Sequence, residues 1–150
     1  WVPSQIVSVG TNQDEIDKLG TINTKSQATI NSKEFGEQRA GAGTIVLTKH
    51  SPNQLTYQAK MTAAGLGVFS EIYYPAGWSA SLDGKEVPIL RTNYLLRGLQ
   101  LPAGTHEIVF TFAPTSYNAT KTPMIIFQYA LVILLIAGLV TTYRKSDASR

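Results

Sequence analysis

The chain contains no cysteine, which removes disulfide staples and thiolate metal sites from consideration. Histidine is scarce as well. His50 and His106 are the only two, far apart in sequence, and no ligand spacing surrounds them, so no metal site is assigned. No glycine-rich phosphate loop stands between a strand and a helix, and there is no nucleophile elbow. Charge of one sign is also lacking: thirteen Lys and Arg stand against ten Asp and Glu. Three of the basic residues and one acidic residue lie from Arg144 onward, which leaves the preceding chain with a net charge of +1. That balance gives no basic stripe of the kind nucleic-acid binding needs. Glu71 and Asp83 read as solvated charges on or beside strands. No catalytic residue is assigned, and the residues call for no cofactor.

What the chain does have is one long uncharged run. Met124 to Val140 reads MIIFQYALVILLIAGLV, with Gln128 the only strongly polar side chain, and the uncharged stretch extends to Tyr143. Twenty residues at 1.5 Å rise reach about 30 Å, the thickness of a bilayer hydrocarbon core. The run predicts a transmembrane helix over 124–143, with Tyr117 and Tyr143 flanking it at interfacial depth. Arg144, Lys145 and Arg150 put the tail 144–150 on the cytoplasmic side and residues 1–121 outside it. Export of such a domain calls for a signal, and Trp1 begins none. The expectation is a C-terminal part of a longer protein with earlier spans, or a single-pass protein whose signal peptide has been removed.

Residues 1–113 carry a β pattern. Gln5–Val9 reads as a strand, followed by a short helix with Asn12 as N-cap, Glu15 three residues on, and Gly20 after the last turn. Ala28 and Ile30 suggest another short strand. Leu55, Tyr57, Ala59, Met61 and Ala63 alternate with polar residues, the period of a strand with one buried face. Val68–Tyr74, Trp78–Leu82, Lys85–Leu90, Tyr94–Leu101 and the Ile108, Phe110, Phe112 series follow. Asp83-Gly84 fits a type I′ hairpin turn, and Pro88 sets its strand at an edge or bulge. The fold class is therefore mainly β: an antiparallel β-sandwich, immunoglobulin- or jelly-roll-like, with one short helix and a C-terminal transmembrane helix. Residues 114–123, PTSYNATKTP, read as a juxtamembrane linker that keeps the sandwich within roughly 35 Å of the bilayer even if extended.

The candidate surface is aromatic. Tyr73, Tyr74, Trp78 and Tyr94 cluster in sequence, and flat aromatic faces suit sugar rings, protein partners or a membrane surface. Strand alternation separates Tyr73 from Tyr74, and Trp78 reads as core. Arg91 and Arg97 flank Tyr94 in RTNYLLR, where their forks could hold a carboxylate or phosphate or simply pair within the molecule. Tyr74, Tyr94, Arg91 and Arg97 form the candidate glycan or partner surface.

The elements YYPAGW, DGKEVPI, RTNYLLRG and LPAGTHEIVFTFAP, running in that order into an apolar span, resemble the C-terminal extracytoplasmic region of the YfhO family of bacterial polytopic membrane proteins. The Trp-Val start, DEIDKL and ATI resemble it too. The resemblance implies a relation to GT-C type glycosyltransferases using a polyprenyl-phosphate-linked sugar. In that class the catalytic acid lies on the first outer loop, which has no counterpart here, so no catalytic residue is carried over. The implied role is an accessory domain and closing helix in the bacterial cytoplasmic membrane. Its partners would be the lipid bilayer, the other spans of the parent protein, and a cell-envelope glycan or protein. The other reading of the residues is a membrane-tethered sandwich that docks envelope proteins.

Overall fold

A computed structural model describes residues 1–147, and for 115–122 and 140–147 the backbone alone. The chain divides into two compact units, Trp1–Ala113 and Pro114–Arg150.

The first unit is mainly β. It opens with β1 (Gln5–Val9), α1 (Asn12–Leu19) and β2 (Gln27–Asn31). β1 and β2 pair in parallel, because a helix between two strands returns the chain in the same direction. This pair is an addition to the expected antiparallel sandwich, whose strands follow. The helix start also moves by one residue. Thr11, extended at φ −141°, caps α1 by accepting from the Asp14 amide, which frees Asn12 and Glu15 for other partners. A single turn, α2 (Ser32–Phe35), follows β2.

Antiparallel sheets make up the rest. β3 (Ala42–Ser51), β4 (Gln54–Ala63), β6 (Trp78–Leu82), β7 (Lys85–Val87) and β10 (Gly104–Phe112) form a five-stranded sheet in the order β3-β4-β10-β6-β7. β5 (Gly65–Ile72), β8 (Leu90–Thr92) and β9 (Leu96–Leu101) form a three-stranded sheet in the order β5-β9-β8. The run Lys85–Leu90 is thus two strands in different sheets. Pro88 lacks the N–H a ladder needs, so the chain leaves the edge strand β7 there and enters β8. Asp83 and Gly84 both have positive φ, 51° and 78°, as the β6–β7 turn demands.

Two apolar clusters order these layers. Leu55, Ala59, Met61, Ala80, Ile108 and Phe110 of the larger sheet pack with Phe69, Leu99 and Leu101 of the smaller one. Tyr57, Phe69 and Phe110 meet edge to face, with centroids 4.9 to 5.9 Å apart, a geometry that adds to the gain from burial alone. Leu66, Val68 and Leu90 pack with Ala28 and Ile30 of β2. The three-stranded sheet therefore contributes to both cores.

The second unit is one helix, α3 (Thr115–Asp147), with Pro123 inside it. The stretch 114–123, read as a juxtamembrane linker, holds its first turns from Thr115 on. No glycine interrupts Thr115–Thr122, and an internal proline deletes one intrahelical bond without ending every helix that contains it. From Met124 to Leu139 the large apolar side chains are exposed, Phe127 to 73% and Leu134 to 71%. Among the described residues no helix is long and apolar enough to cross a membrane. The side chains from 140 onward, and those of Tyr117 and Tyr143, lie outside the described residues, as do residues 148–150 of the expected tail.

Candidate functional site

A buried carboxylate organises one end of the domain. Glu15 on α1 is fully buried. Its Oε1 accepts from the Tyr94 amide at 2.9 Å and from Thr29 Oγ1 at 3.2 Å. Its Oε2 lies 3.6 Å from Arg91 Nη2. The same Arg91 nitrogen donates to Asn12 Oδ1 at 2.6 Å and to Glu34 Oε2 at 3.0 Å. Asn93 exchanges bonds with the Thr29 backbone, its amide donating to Thr29 O at 3.0 Å and its Oδ1 accepting from Thr29 N at 2.8 Å. One carboxylate and one amide side chain thus tie the turn Asn93–Leu95 to α1 and β2.

That turn needs the support. Asn93 and Tyr94 have φ of 48° and 63°, and for a bulky side chain such a conformation is an outlier. The strand expected from Tyr94 consequently begins only at Leu96. Asparagine at the first of these positions tolerates the left-handed region; the RTNY run held this signal.

The four residues expected to share a surface do not all do so. Tyr74 and Tyr94 are exposed, to 53% and 39%. Arg91 lies 5.3 Å from the Tyr94 ring centroid and 5.9 Å from that of Phe35, with its charge committed to Glu15 and Glu34. Arg97 is buried. Its guanidinium stacks 4.0 Å from the Trp78 centroid and 5.3 Å from Phe110, and its Nε donates to Ile72 O. Burial pulls this guanidinium below its ordinary value, opposed by the nearby Glu71 charge. Tyr57, beside the same charges, has its phenol pushed up, first by burial and then by Glu71. Trp78 packs against the core as expected, and Tyr73 is half-buried, edge-on to Phe35.

Two other places hold polar groups. On the outer face of the five-stranded sheet, Ser79, Ser81, Glu86, Val109 and Thr111 line a shallow cleft of about 300 Å³; none of the sequence-predicted residues reaches it. At the opposite end of the domain from Tyr94, His106 Nδ1 lies 2.7 Å from Asp83 Oδ2. Among the described residues no three His, Asp or Glu converge as a metal would require.

Comparison with known proteins gives one relation. The family model described as "Bacterial membrane protein YfhO" matches residues 20–122, from just before β2 to the first turns of α3. No curated protein and no solved structure matches the chain.

Proposed function

The chain belongs to the YfhO family of bacterial membrane proteins, and from that membership we propose that it is the non-catalytic accessory domain and closing membrane helix of a polytopic protein. In this reading residues 1–121 lie outside the cytoplasm as a β-sandwich, 124–143 span the bacterial cytoplasmic membrane, and 144–150 end in the cytoplasm. The observation that carries it is the row of exposed apolar side chains from Met124 to Leu139, a surface that water would not leave uncovered and that lipid solvates. The parent protein would be a glycosyltransferase of the polyprenyl-phosphate-sugar-dependent kind, with its catalytic acid elsewhere. This part supplies a contact surface in which Tyr74 and Tyr94 are the exposed members, Arg91 the support behind Tyr94, and Arg97 a buried brace.

Residues 1–150 hold no cysteine, so within them each introduced thiol reports alone. With Lys85→Cys or Ser149→Cys introduced singly, a membrane-impermeant maleimide should label the first in intact cells and the second only after permeabilisation. Labelling of Ser149→Cys from outside would reverse the topology, and extraction of the chain by carbonate would remove the span.

A second reading, a tethered module that docks envelope proteins, draws on the edge strand β3, where Val46 and Leu47 are 58% and 45% exposed. Free sheet edges invite pairing, but here a register shift between Leu47 and Lys49 and the lysine itself are the usual means of discouraging it. The accessory-domain reading is the better supported.

A further inference from the structure

The end of the β domain from which the chain leaves toward α3 is built from four segments joined by backbone hydrogen bonds. Ala113 N donates to Gly77 O at 2.8 Å, Tyr73 N donates to Leu95 O at 2.7 Å, and Phe112 N donates to Asn53 O at 2.9 Å. The loop 73–77 is thus fastened on one side to the domain's last residues and on the other to the turn 93–95. Ile72, Tyr74, Tyr94 and Leu95 on these segments are 60%, 53%, 39% and 50% exposed. In the described part of Trp1–Ala113 the other exposed large hydrophobics are Ile16, Val46 and Leu47. The far end, by contrast, carries the Asp83–His106 pair and Lys85.

We infer that this end is a lipid-contact rim, with Ile72, Tyr74, Tyr94 and Leu95 set into the headgroup region of the bilayer. The inference rests on the proposed membrane span and names the occupant of the Tyr74–Tyr94 surface. Connectivity limits the distance. Ala113, the domain's last residue, is fastened to the loop 73–77, and only the ten residues 114–123, at no more than about 3.6 Å each, separate it from the start of the apolar run. The chemistry of the rim also favours lipid. Tyrosine, apolar in its ring and polar at its tip, is enriched at membrane interfaces. A sugar site needs unengaged polar groups to meet hydroxyls. Here Arg91 is occupied by Glu15, Glu34 and Asn12, and Arg97 is buried.

The test uses the full chain in vesicles of phosphatidylethanolamine and phosphatidylglycerol. A fluorescent probe is attached after Tyr74→Cys, Leu95→Cys, Lys85→Cys or Leu134→Cys, one at a time. Lipids bearing a nitroxide near the headgroup should quench the Tyr74→Cys and Leu95→Cys probes several-fold more than the Lys85→Cys probe. A nitroxide deep in the acyl chains should quench the Leu134→Cys probe. Adding Ile72→Ser to the Leu95→Cys chain should lower its quenching about twofold.

If the Leu134→Cys probe is quenched while the two rim probes match Lys85→Cys, the rim is wrong and the span stands. If the Leu134→Cys probe is not quenched, the span fails and the rim with it. Rim probes that respond only when soluble envelope glycan is added would assign the surface to glycan and overturn the lipid proposal.

Discussion

Arg91 and Arg97 stand directly opposite one another in the β8–β9 ladder, yet their guanidiniums reach separate surroundings. Arg91 meets two carboxylates, Glu15 and Glu34. Arg97 lies over Trp78 and Phe110, and its buried Nη1 has no hydrogen-bond partner among the described residues. A planar cation stacked on rings depends on its shape. Arg97→Lys, which keeps charge and loses the plane, should therefore cost about 1–2 kcal/mol. Arg97→Met removes a charge that burial opposes and fills similar volume, so it should stay within about 1 kcal/mol of the parent. Urea unfolding of both variants settles the order; a Met variant much weaker than the Lys variant would mean that charge, not stacking, holds this site.

Glu15 is the partner whose loss should be felt most widely. Glu15→Ala leaves the Tyr94 amide and the Thr29 hydroxyl without their acceptor and deprives Arg91 of its buried partner. Removing one member of a buried pair costs about 3–5 kcal/mol. Glu15→Gln retains an acceptor oxygen for the Tyr94 amide and should lose less, about 1–2 kcal/mol. Amide exchange reads the local effect: in the Ala variant protection should fall first at Asn93, Tyr94 and Leu95. Equal destabilisation by both variants, with uniform loss of protection, would show that Glu15 does not hold the turn.

Gly65 contrasts with Gly84. A Cβ on Gly65 would lie 2.3 Å from Gly41 N and 2.4 Å from Gly41 Cα, backbone atoms that cannot rotate away. Gly65→Ala should cost about 3 kcal/mol, the upper end for overpacking. Gly84 has open space around it but a φ of 78°, so Gly84→Ala meets only the left-handed penalty of about 1–2 kcal/mol. Thermal unfolding of the two variants should rank them in that order, and the reverse order would place the constraint in the hairpin turn instead.

The local signals in the sequence were those that the backbone writes residue by residue. β1 falls on the extended run Gln5–Val9 and β6 on the alternating run Trp78–Leu82, and Asp83-Gly84 takes the positive φ values its residue types announce. What the residues hid depended on long-range pairing. Glu15 looks like a capping residue because its partners, Thr29, Arg91 and Tyr94, are up to 79 positions away. The parallel β1–β2 pair follows from α1 lying between the two strands, an order that the sequence holds and that short antiparallel turns do not require. Arg97, in a run with Arg91, looked exposed because arginine usually is; the stack on Trp78 that allows its burial joins two different sheets. Of the four surface candidates, Tyr74 and Tyr94 are exposed and Arg97 is buried.

His106 and Asp83 give the domain a pH dependence with a definite sign. The hydrogen bond that its Nδ1–H donates to Asp83 is the main reason that the His106 imidazolium is held above its ordinary value of 6.5. The same bond, followed by the Glu107 amide, holds the Asp83 carboxyl below its ordinary 3.8. A raised histidine contributes stability that is complete below 6.5 and is lost as pH rises through its folded value. A lowered aspartate contributes above 3.8, and its share is lost as pH falls through its folded value. Both contributions are therefore present together between those two ordinary values. Asp83→Asn removes the carboxylate, so the stability difference between parent and variant should be largest in that window and shrink on either side. Asp83 is exposed over about half of its side chain, so the difference should also shrink in high salt. In a His50→Gln background, which leaves a single imidazole, an NMR titration should place His106 above 6.5 and return it toward that value in Asp83→Asn. A His106 titration at or below 6.5 in the parent would mean that the 2.7 Å contact does not persist in solution.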